Sequence, residues 1–519
     1  MSKHLFLLLI GLFLMIVGLL PLLVMFVKSV SLDGQFSLSA YTELLQTEHQ
    51  WRLMQHSLTL ASSVALLTTL IGVPLGILLG KTDVAFRQFF TLLFVIPLLV
   101  PPYIFALSWS NIFASVGWGS SELLFGLPGV VFVLFSVFLP IPMLLTIFFL
   151  RTVDPRLEEA ALLVASWSEV MKSITMMLIL PAVVLSFMLV FILSFAEMSV
   201  ANFLRYDVYA LESFTQFSAF YDFKAATAAA FVLAVAALLF LTVEEILMRK
   251  REHDYRTLYA HSIKIIPLGV FRKWLLFALF TVGFVMVILP MMTLLIQSSS
   301  ISSYVEAFTL AGDSLLRTLL FGVVSATLLT FFGFFTGYMI HKRSVKIWRL
   351  LDATSIFLFA LPGTVIGIGL ISMWNTPWTN VIYATPIIIL FGLLAKYIAL
   401  SSKISAVQLS QIPSSMEEAA QVAGAGWFRT MIYIIIPLSW RGLAVAWIIG
   451  YIFSLRDTAV TMLIYPAGQD TLPIRILTLM ANGSQEIIAA LCIIMILVTL
   501  LPAALFLLLY QTTNAKVHS

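Results

Sequence analysis

The sequence predicts an all-α membrane protein of about twelve transmembrane helices, arranged as two parallel six-helix repeats. Three observations carry that expectation. Hydrophobic residues fill 61% of the 519 positions and charged residues 10%, with a mean hydropathy of +1.05. No soluble domain needs that much apolar surface. The surface is divided into stretches of about 20 residues, the length that crosses a bilayer core. Finally, the pattern of the first half of the chain returns in the second.

In chain order, the first half (1–248) holds spans near 5–27, 57–80, 88–110, 126–150, 173–195 and 225–247. A linker at 249–273 begins Arg-Lys-Arg-Glu-His and carries further basic residues but no apolar span. The second half (274–519) holds spans near 272–296, 316–340, 351–373, 381–401, 431–453 and 486–511. No small-residue cleavage site follows Leu5–Val27, so that stretch reads as a retained first helix. The stretch from His56 aligns with that from Arg317 at an offset of 261, which sets Gly72 and Gly76 on Gly333 and Gly337, and Pro101 on Pro362. An even number of spans per repeat gives both halves the same direction across the membrane.

Charge sets that direction. Counting loops from a cytoplasmic N-terminus puts 22 of the 29 Lys and Arg inside; Lys28, Arg52, Arg205, Lys224, Arg317, Arg456 and Arg475 fall outside. Basic residues are retained on the cytoplasmic side, so both termini are expected there. The net charge of +4 is small and gives no reason to expect a nucleic-acid partner. One cysteine, Cys492, excludes an internal disulfide and any cysteine-based metal cluster.

Between the fourth and fifth spans of each half stands a short polar helix on the predicted cytoplasmic side. In the second loop, near 413–430, the run from Met416 to Pro437 reads MEEAAQVAGAGWFRTMIYIIIP. Ser415 can cap its start and Glu418 complete a capping box. Glu417 and Glu418 sit where the helix dipole favours negative charge. Ala419, Ala420, Ala423 and Gly424 form a small-residue surface that another backbone can approach closely, and Gly424 is expected to loosen the helix. The first loop, near 154–172, reads LEEAALLVA from Leu157, with Asp154 as N-cap and Pro155 at the first helical position. Glu158, Glu159, Ala160 and Ala161 therefore match Glu417, Glu418, Ala419 and Ala420 at an offset of 259, and Ala165 stands where the second loop has Gly424.

These loops resemble those of the permease subunits of binding-protein-dependent ATP-driven importers, whose pattern is E-A-A-x3-G-x9-I-x-L-P. The second loop matches through Glu418, Ala419, Ala420, Gly424, Ile434 and Pro437, with Ile436 replacing leucine. The first matches in Glu159, Ala160 and Ala161, with Ala165 in place of glycine and its proline displaced to Pro181. Two fused six-helix halves, with FAEMSVANFLRYDVY from Phe195 and SLRDTAVTMLIYPAGQDTLPIRI from Ser454, look most like the bacterial ferric-iron uptake permeases. The resemblance implies the type I importer fold in the bacterial inner membrane. It implies docking of each loop helix on one of two copies of an ATPase that carries the ATP and magnesium, and delivery of cargo by a periplasmic binding protein. The chain itself would then be no enzyme and bind no cofactor. Thiamine, phosphonates or another small solute are the alternative cargoes.

Other features point elsewhere or nowhere. Gly80-Lys81-Thr82 imitates part of a phosphate-binding loop, but the preceding glycine, Gly76, is one residue too near and lies on a membrane helix. Gly72, Gly76 and Gly80 read better as a packing face. The seven histidines lie in loops or near span ends without metal-ligand spacing. The Met and Phe stripes read as packing or lipid-facing surface. Glu197, Tyr206, Asp207, Asp457 and Tyr465, beside Arg456, place hard oxygen atoms near the outer mouth. They are expected to pair with neighbouring arginines or a docking protein sooner than to hold an ion, because a tight site inside a pore would trap its cargo. A twelve-helix secondary transporter is the rival class; it would bury coupling charges in mid-span.

Overall fold

The computed structural model describes residues 2–32, 35–115, 121–220, 222–248 and 263–517. The basic run at 249–253 lies outside them. Apart from one two-residue β-ladder, Ser31–Leu32 with Gln35–Phe36, the described chain is built from helices and their connections.

Ten helices among the described residues are long and apolar enough to cross a membrane. Those of the first half are Lys3–Ser29, Glu48–Lys81, Leu127–Leu150, Trp167–Phe195 and Phe223–Val243. Those of the second are Phe271–Gln297, Ile301–Lys342, Ile387–Ser410, Trp427–Arg456 and Gln485–Phe506. The third span of each half departs from expectation. Instead of straight helices at 88–110 and 351–373, Arg87–Leu99 and Pro102–Ser115 meet at 99°, and Trp348–Ala360 and Gly363–Trp374 meet at 114°. The cause lies in Pro101 and Pro362. A proline pushes its predecessor out of the helical region, and Val100 (φ −98°, ψ 145°) and Leu361 (φ −68°, ψ 141°) are both extended. Hydropathy, summed over a window, does not register a corner.

A broken helix leaves carbonyls without partners. At the second break, the buried Lys396 reaches across from Ile387–Ser410 and donates to the carbonyls of Phe359, at 2.9 Å, and Leu361.

The chain forms two compact units that cut across the sequence halves. One comprises Met1–Thr47, Glu212–Val235 and Ser300–Ser519; the other comprises Glu48–Leu211 and Ala236–Ser299. Each therefore holds the second, fourth and fifth spans of one half together with the first span of the other. In the former unit, Phe13 stacks on Phe332 at 4.8 Å, and Gly18 lies where a Cβ would come 2.5 Å from Leu358 Cδ1. In the latter, Phe280 meets Phe90 edge-on at 4.9 Å, and Gly283 admits Leu93. A repeat in sequence is thus not a unit of packing.

Within each unit the long second helix is seated on the fourth through glycine. A Cβ on Gly76 would stand 2.6 Å from the Met143 carbonyl oxygen, and one on Gly337 would stand 2.6 Å from that of Ser402. Backbone atoms cannot step aside as a side-chain tip can, so the contact is rigid. Gly312, on the same helix as Gly337, faces open space. Gly337→Ala should therefore destabilise by about 1–3 kcal/mol through overpacking. Gly312→Ala should leave stability unchanged or raise it by about 0.5–1 kcal/mol, since alanine loses less backbone freedom in a helix. Unfolding midpoints of the two variants in detergent micelles check this, and equal midpoints would rule out the close contact.

Candidate functional site

The first loop helix runs Pro155–Leu162. Asp154 is its N-cap, accepting from the Arg156 amide at 2.9 Å, and Pro155 occupies the first turn, where a missing N–H costs nothing. Glu158 points inward. Its carboxylate meets Lys81 Nζ at 2.7 Å and accepts from the Thr175 hydroxyl at 2.6 Å, with both charged side chains 1% exposed. Lys81 is the last residue of the Glu48–Lys81 helix. The lysine of the false phosphate loop is therefore the counter-ion of the loop helix. Removing either partner would strand a buried charge, at a cost of about 3–5 kcal/mol.

Glu159 points outward and meets Lys264 Nζ, from the described end of the linker, at 2.9 Å; both side chains are about half exposed. Such a pair contributes about 0–1 kcal/mol. The same linker segment is stitched to the foot of the long helix. The Ile266 amide donates to the Lys81 carbonyl at 2.8 Å, and the Leu268 amide to the Asp83 carboxylate at 2.9 Å.

The second loop helix runs Ser414–Val422 and repeats this plan. Glu417 meets Lys342 Nζ at 3.1 Å, and Lys342 is the last residue of Ile301–Lys342. Lys81 and Lys342 correspond in the repeat, as do Glu158 and Glu417, so one ion pair has been kept at one place in both halves. The second pair is the less sealed, with side chains 25% and 16% exposed. Glu418, like Glu159, faces outward.

Of the alanines, Ala160 and Ala419 are exposed, Ala161 is half-buried and Ala420 is buried. The small-residue surface is therefore divided between an inner and an outer face. The outer face also carries aliphatic side chains that neither composition nor the EEAA pattern singled out. Leu157 and Leu163 are exposed in the first loop, and Met416 and Val422 at the matching positions of the second; Leu163 is 85% and Val422 91% exposed. Each loop helix thus exposes aliphatic groups beside an outward-facing glutamate.

The helix ends differ from expectation. Ser415 does not cap the second helix, and no side-chain cap bond forms there. Pro413 is the N-cap residue, with φ −60° and ψ 136°, and the helix begins at once behind it, which puts Ser415 already inside the first turn. Gly424 does not loosen the helix interior. It lies beyond the last turn with φ +78°, and the Ala425 amide closes back on the Ala420 carbonyl at 2.9 Å. Gly424 is thus a left-handed stop. Ala165 has no such role, since its amide makes an ordinary helical bond to Ala161 at 2.9 Å. There Ser166 and Glu169 build a capping box for the next turn, Trp167–Val170. Both fifth spans then begin with a five-residue π-turn, Met171–Thr175 and Met431–Ile435, a wider winding with no signature in hydropathy.

The acids expected near the outer mouth are largely engaged in local structure. Glu197 accepts from the Ser199 and Val200 amides at 2.8 and 3.1 Å, capping Ser199–Phe203. Asp457 is buried; it accepts from the Val460 and Thr461 amides at 3.1 and 3.0 Å and from the Tyr397 hydroxyl at 2.8 Å. The two acids thus do the same work after the two fifth spans, and among the described residues no ion pair joins either to a neighbouring arginine. The Arg456 guanidinium lies 5.3 Å over the Phe453 ring. Tyr206 stacks on His56 at 4.9 Å, and burial raises its phenol above the ordinary range. The Asp207 carbonyl meets His56 Nδ1 at 3.1 Å while its carboxylate is exposed, and Tyr465 is about one-third exposed.

The chain is similar to the putative ferric transport system permease protein FbpB 1 of Haemophilus influenzae, 24% identical over 491 residues, 88% of this chain and 76% of that one. It is similar to the ferric transport system permease protein FbpB of Actinobacillus pleuropneumoniae, 23% identical over 85% of this chain and 69% of that one. A putative 2-aminoethylphosphonate transport system permease protein, PhnV of Salmonella typhimurium, is 26% identical over 37% of this chain and 72% of its own length. The model of binding-protein-dependent transport system inner membrane components matches twice, at residues 72–256 and 329–515. With one copy in each half, each spanning one of the two loop helices, the chain belongs to that family.

Proposed function

We propose that this chain is the membrane pore of an ATP-driven importer, taking up ferric iron delivered by a periplasmic binding protein. Two copies of a separate ATPase subunit, which hold the ATP and magnesium, dock on Pro155–Leu162 and Ser414–Val422. The observation that carries the reading is the matched pair of loop helices. Each turns one glutamate inward to a lysine and presents a second glutamate, with flanking aliphatic groups, to a partner. Two matched surfaces suit two copies of one ATPase, and the basic residues suit a cytoplasmic face for both loops and both termini. Iron as cargo is supported by the similarity to ferric transport permeases along most of the chain. Phosphonate is the second cargo to test, because of the similarity to PhnV.

The function is tested by reconstitution. Proteoliposomes containing the chain, the ATPase and binding protein loaded with radiolabelled ferric ion should accumulate iron only with ATP. Concentrative uptake by the chain alone on a proton gradient would overturn the reading, and uptake of a labelled phosphonate in place of iron would replace the cargo. Native mass of the assembled complex should show two ATPase subunits per chain at saturation.

Two sets of substitutions address the loops. Glu159→Arg and Glu418→Arg each put a cation where the helix dipole favours an anion and should each weaken ATPase association about tenfold, the order of a 1.4 kcal/mol loss; the double variant should show that loss at both sites. A pull-down titration reads this out. Gly424→Ala forces an L-residue into the left-handed region, a cost of about 1–2 kcal/mol. Ala165→Gly loses only helix propensity, less than about 1 kcal/mol at a helix end. Gly424→Ala should therefore lower stimulated hydrolysis and uptake more than Ala165→Gly, measured side by side in the same liposomes.

A further inference from the structure

We propose that Lys81 and Lys342 are positioning residues that pass the displacement of each docking helix to the second span of its own half. The proposal rests on the reading that these helices receive an ATPase, and adds the route by which their motion reaches the membrane.

Chain connectivity already joins each docking helix to its neighbours, the fourth span before it and the fifth after it. The second span has no covalent link to the loop, since Lys81 and Glu158 are 77 residues apart. Yet it is the longest rod of its half, 34 residues in Glu48–Lys81 and 42 in Ile301–Lys342. Each rod ends on the lysine that holds the loop glutamate, at 2.7 Å in one half and 3.1 Å in the other. A pair kept for stability alone could sit anywhere along either helix. These two occupy one corresponding position, joining the last residue of the rod to the first turn of the docking helix.

The other end of the route is equally stiff. Gly76 and Gly337 set the rods against carbonyl oxygens of the fourth spans, where a shift at one backbone is felt by the next. The loop helix is thereby fixed at three points: two by the chain and one by charge. With the charge removed, the docking helix could turn about its two covalent ends while the rod stayed still. The second oxygen of Glu158 accepts from the hydroxyl of Thr175, in the fifth span, so in the first half one glutamate fastens rod, loop and fifth span together.

The test compares Lys81→Met, Lys342→Met and the exchanged pairs Lys81→Glu with Glu158→Lys and Lys342→Glu with Glu417→Lys, in proteoliposomes of the full complex. ATPase bound per chain, ATP hydrolysed and ferric ion taken up are measured together. The expected result is that the methionine variants keep their ATPase and continue to hydrolyse ATP. Uptake per ATP should fall by between about 5- and 150-fold, the range of ordinary coupling energies, and the exchanged pairs should recover most of it. Uptake and hydrolysis falling together, in proportion to ATPase lost, would assign the lysines a purely structural part and overturn the proposal; so would wild-type uptake per ATP in both methionine variants. If Lys81→Met does not accumulate in the membrane, Lys342→Met decides, because its pair is partly solvated and its loss costs less folding energy. Failure of the wild-type chain to bind the ATPase would instead overturn the docking reading, and is recognised because no substitution is involved.

Discussion

A carboxylate withdrawn from water on a helix of only about two turns has to meet a cation, or the helix will not stay where it is. In both halves that cation is the terminal residue of a long membrane helix, Lys81 or Lys342. This single constraint orders much of what surrounds it. Once Glu158 and Glu417 are turned inward, the helical period turns Glu159 and Glu418 outward, and with them Leu163 and Val422. An inner anchor and an exposed outer face are thus two consequences of one pair of adjacent glutamates. The unequal sealing of the two pairs follows from their surroundings, since Thr175 helps enclose Glu158 in the first half.

The membrane class, the two halves and the paired loop helices were legible in the sequence because each rests on local signals: apolar length, an internal repeat, and a doubled glutamate with small residues behind it. What escaped was non-local or geometric. Lys81 lay in plain view within Gly80-Lys81-Thr82, but its partner is far away in sequence. The recurrence of a lysine at the matching position, Lys342, was a signal that could have been found in the alignment of the halves. Pro101 and Pro362 were seen to correspond, and two prolines at one place in two spans mark a break in the helix more directly than any hydropathy value. The exchange of first spans between the units left no mark that one sequence could show, because Gly18 and Gly283 look the same whichever core they face.

The likeness of the halves also sets off their differences. Gly424 stops one loop helix with a left-handed residue, while the other passes through Ala165 into a capped turn at Ser166. Lys264 rests on Glu159, and among the described residues no ion pair holds Glu418. The outer face of the first loop helix is therefore joined to the linker, which a permease of two separate subunits would lack. A surface ion pair of this kind is weak, and it leaves both side chains about half exposed.

Charge buried within the membrane is ordinarily a sign of function, and Lys396 has to be weighed on that ground. A coupled secondary transporter would use such a group to take up and release a proton or an ion. Here its ammonium donates to the carbonyls of Phe359 and Leu361, which the corner at Pro362 has deprived of helical partners. The carboxylate of Asp457 is likewise occupied by the amides of Val460 and Thr461 and the hydroxyl of Tyr397. A lysine whose protons go to backbone carbonyls, beside an acid whose oxygens take up amides, is holding broken helices in place. Their desolvation is offset by the backbone they satisfy, with no bound ion required. The same reasoning applies to Glu197, spent on its own cap. Two of the acids whose oxygens a trivalent cation would favour, Glu197 and Asp457, are thus committed to structure, while Asp207 is exposed.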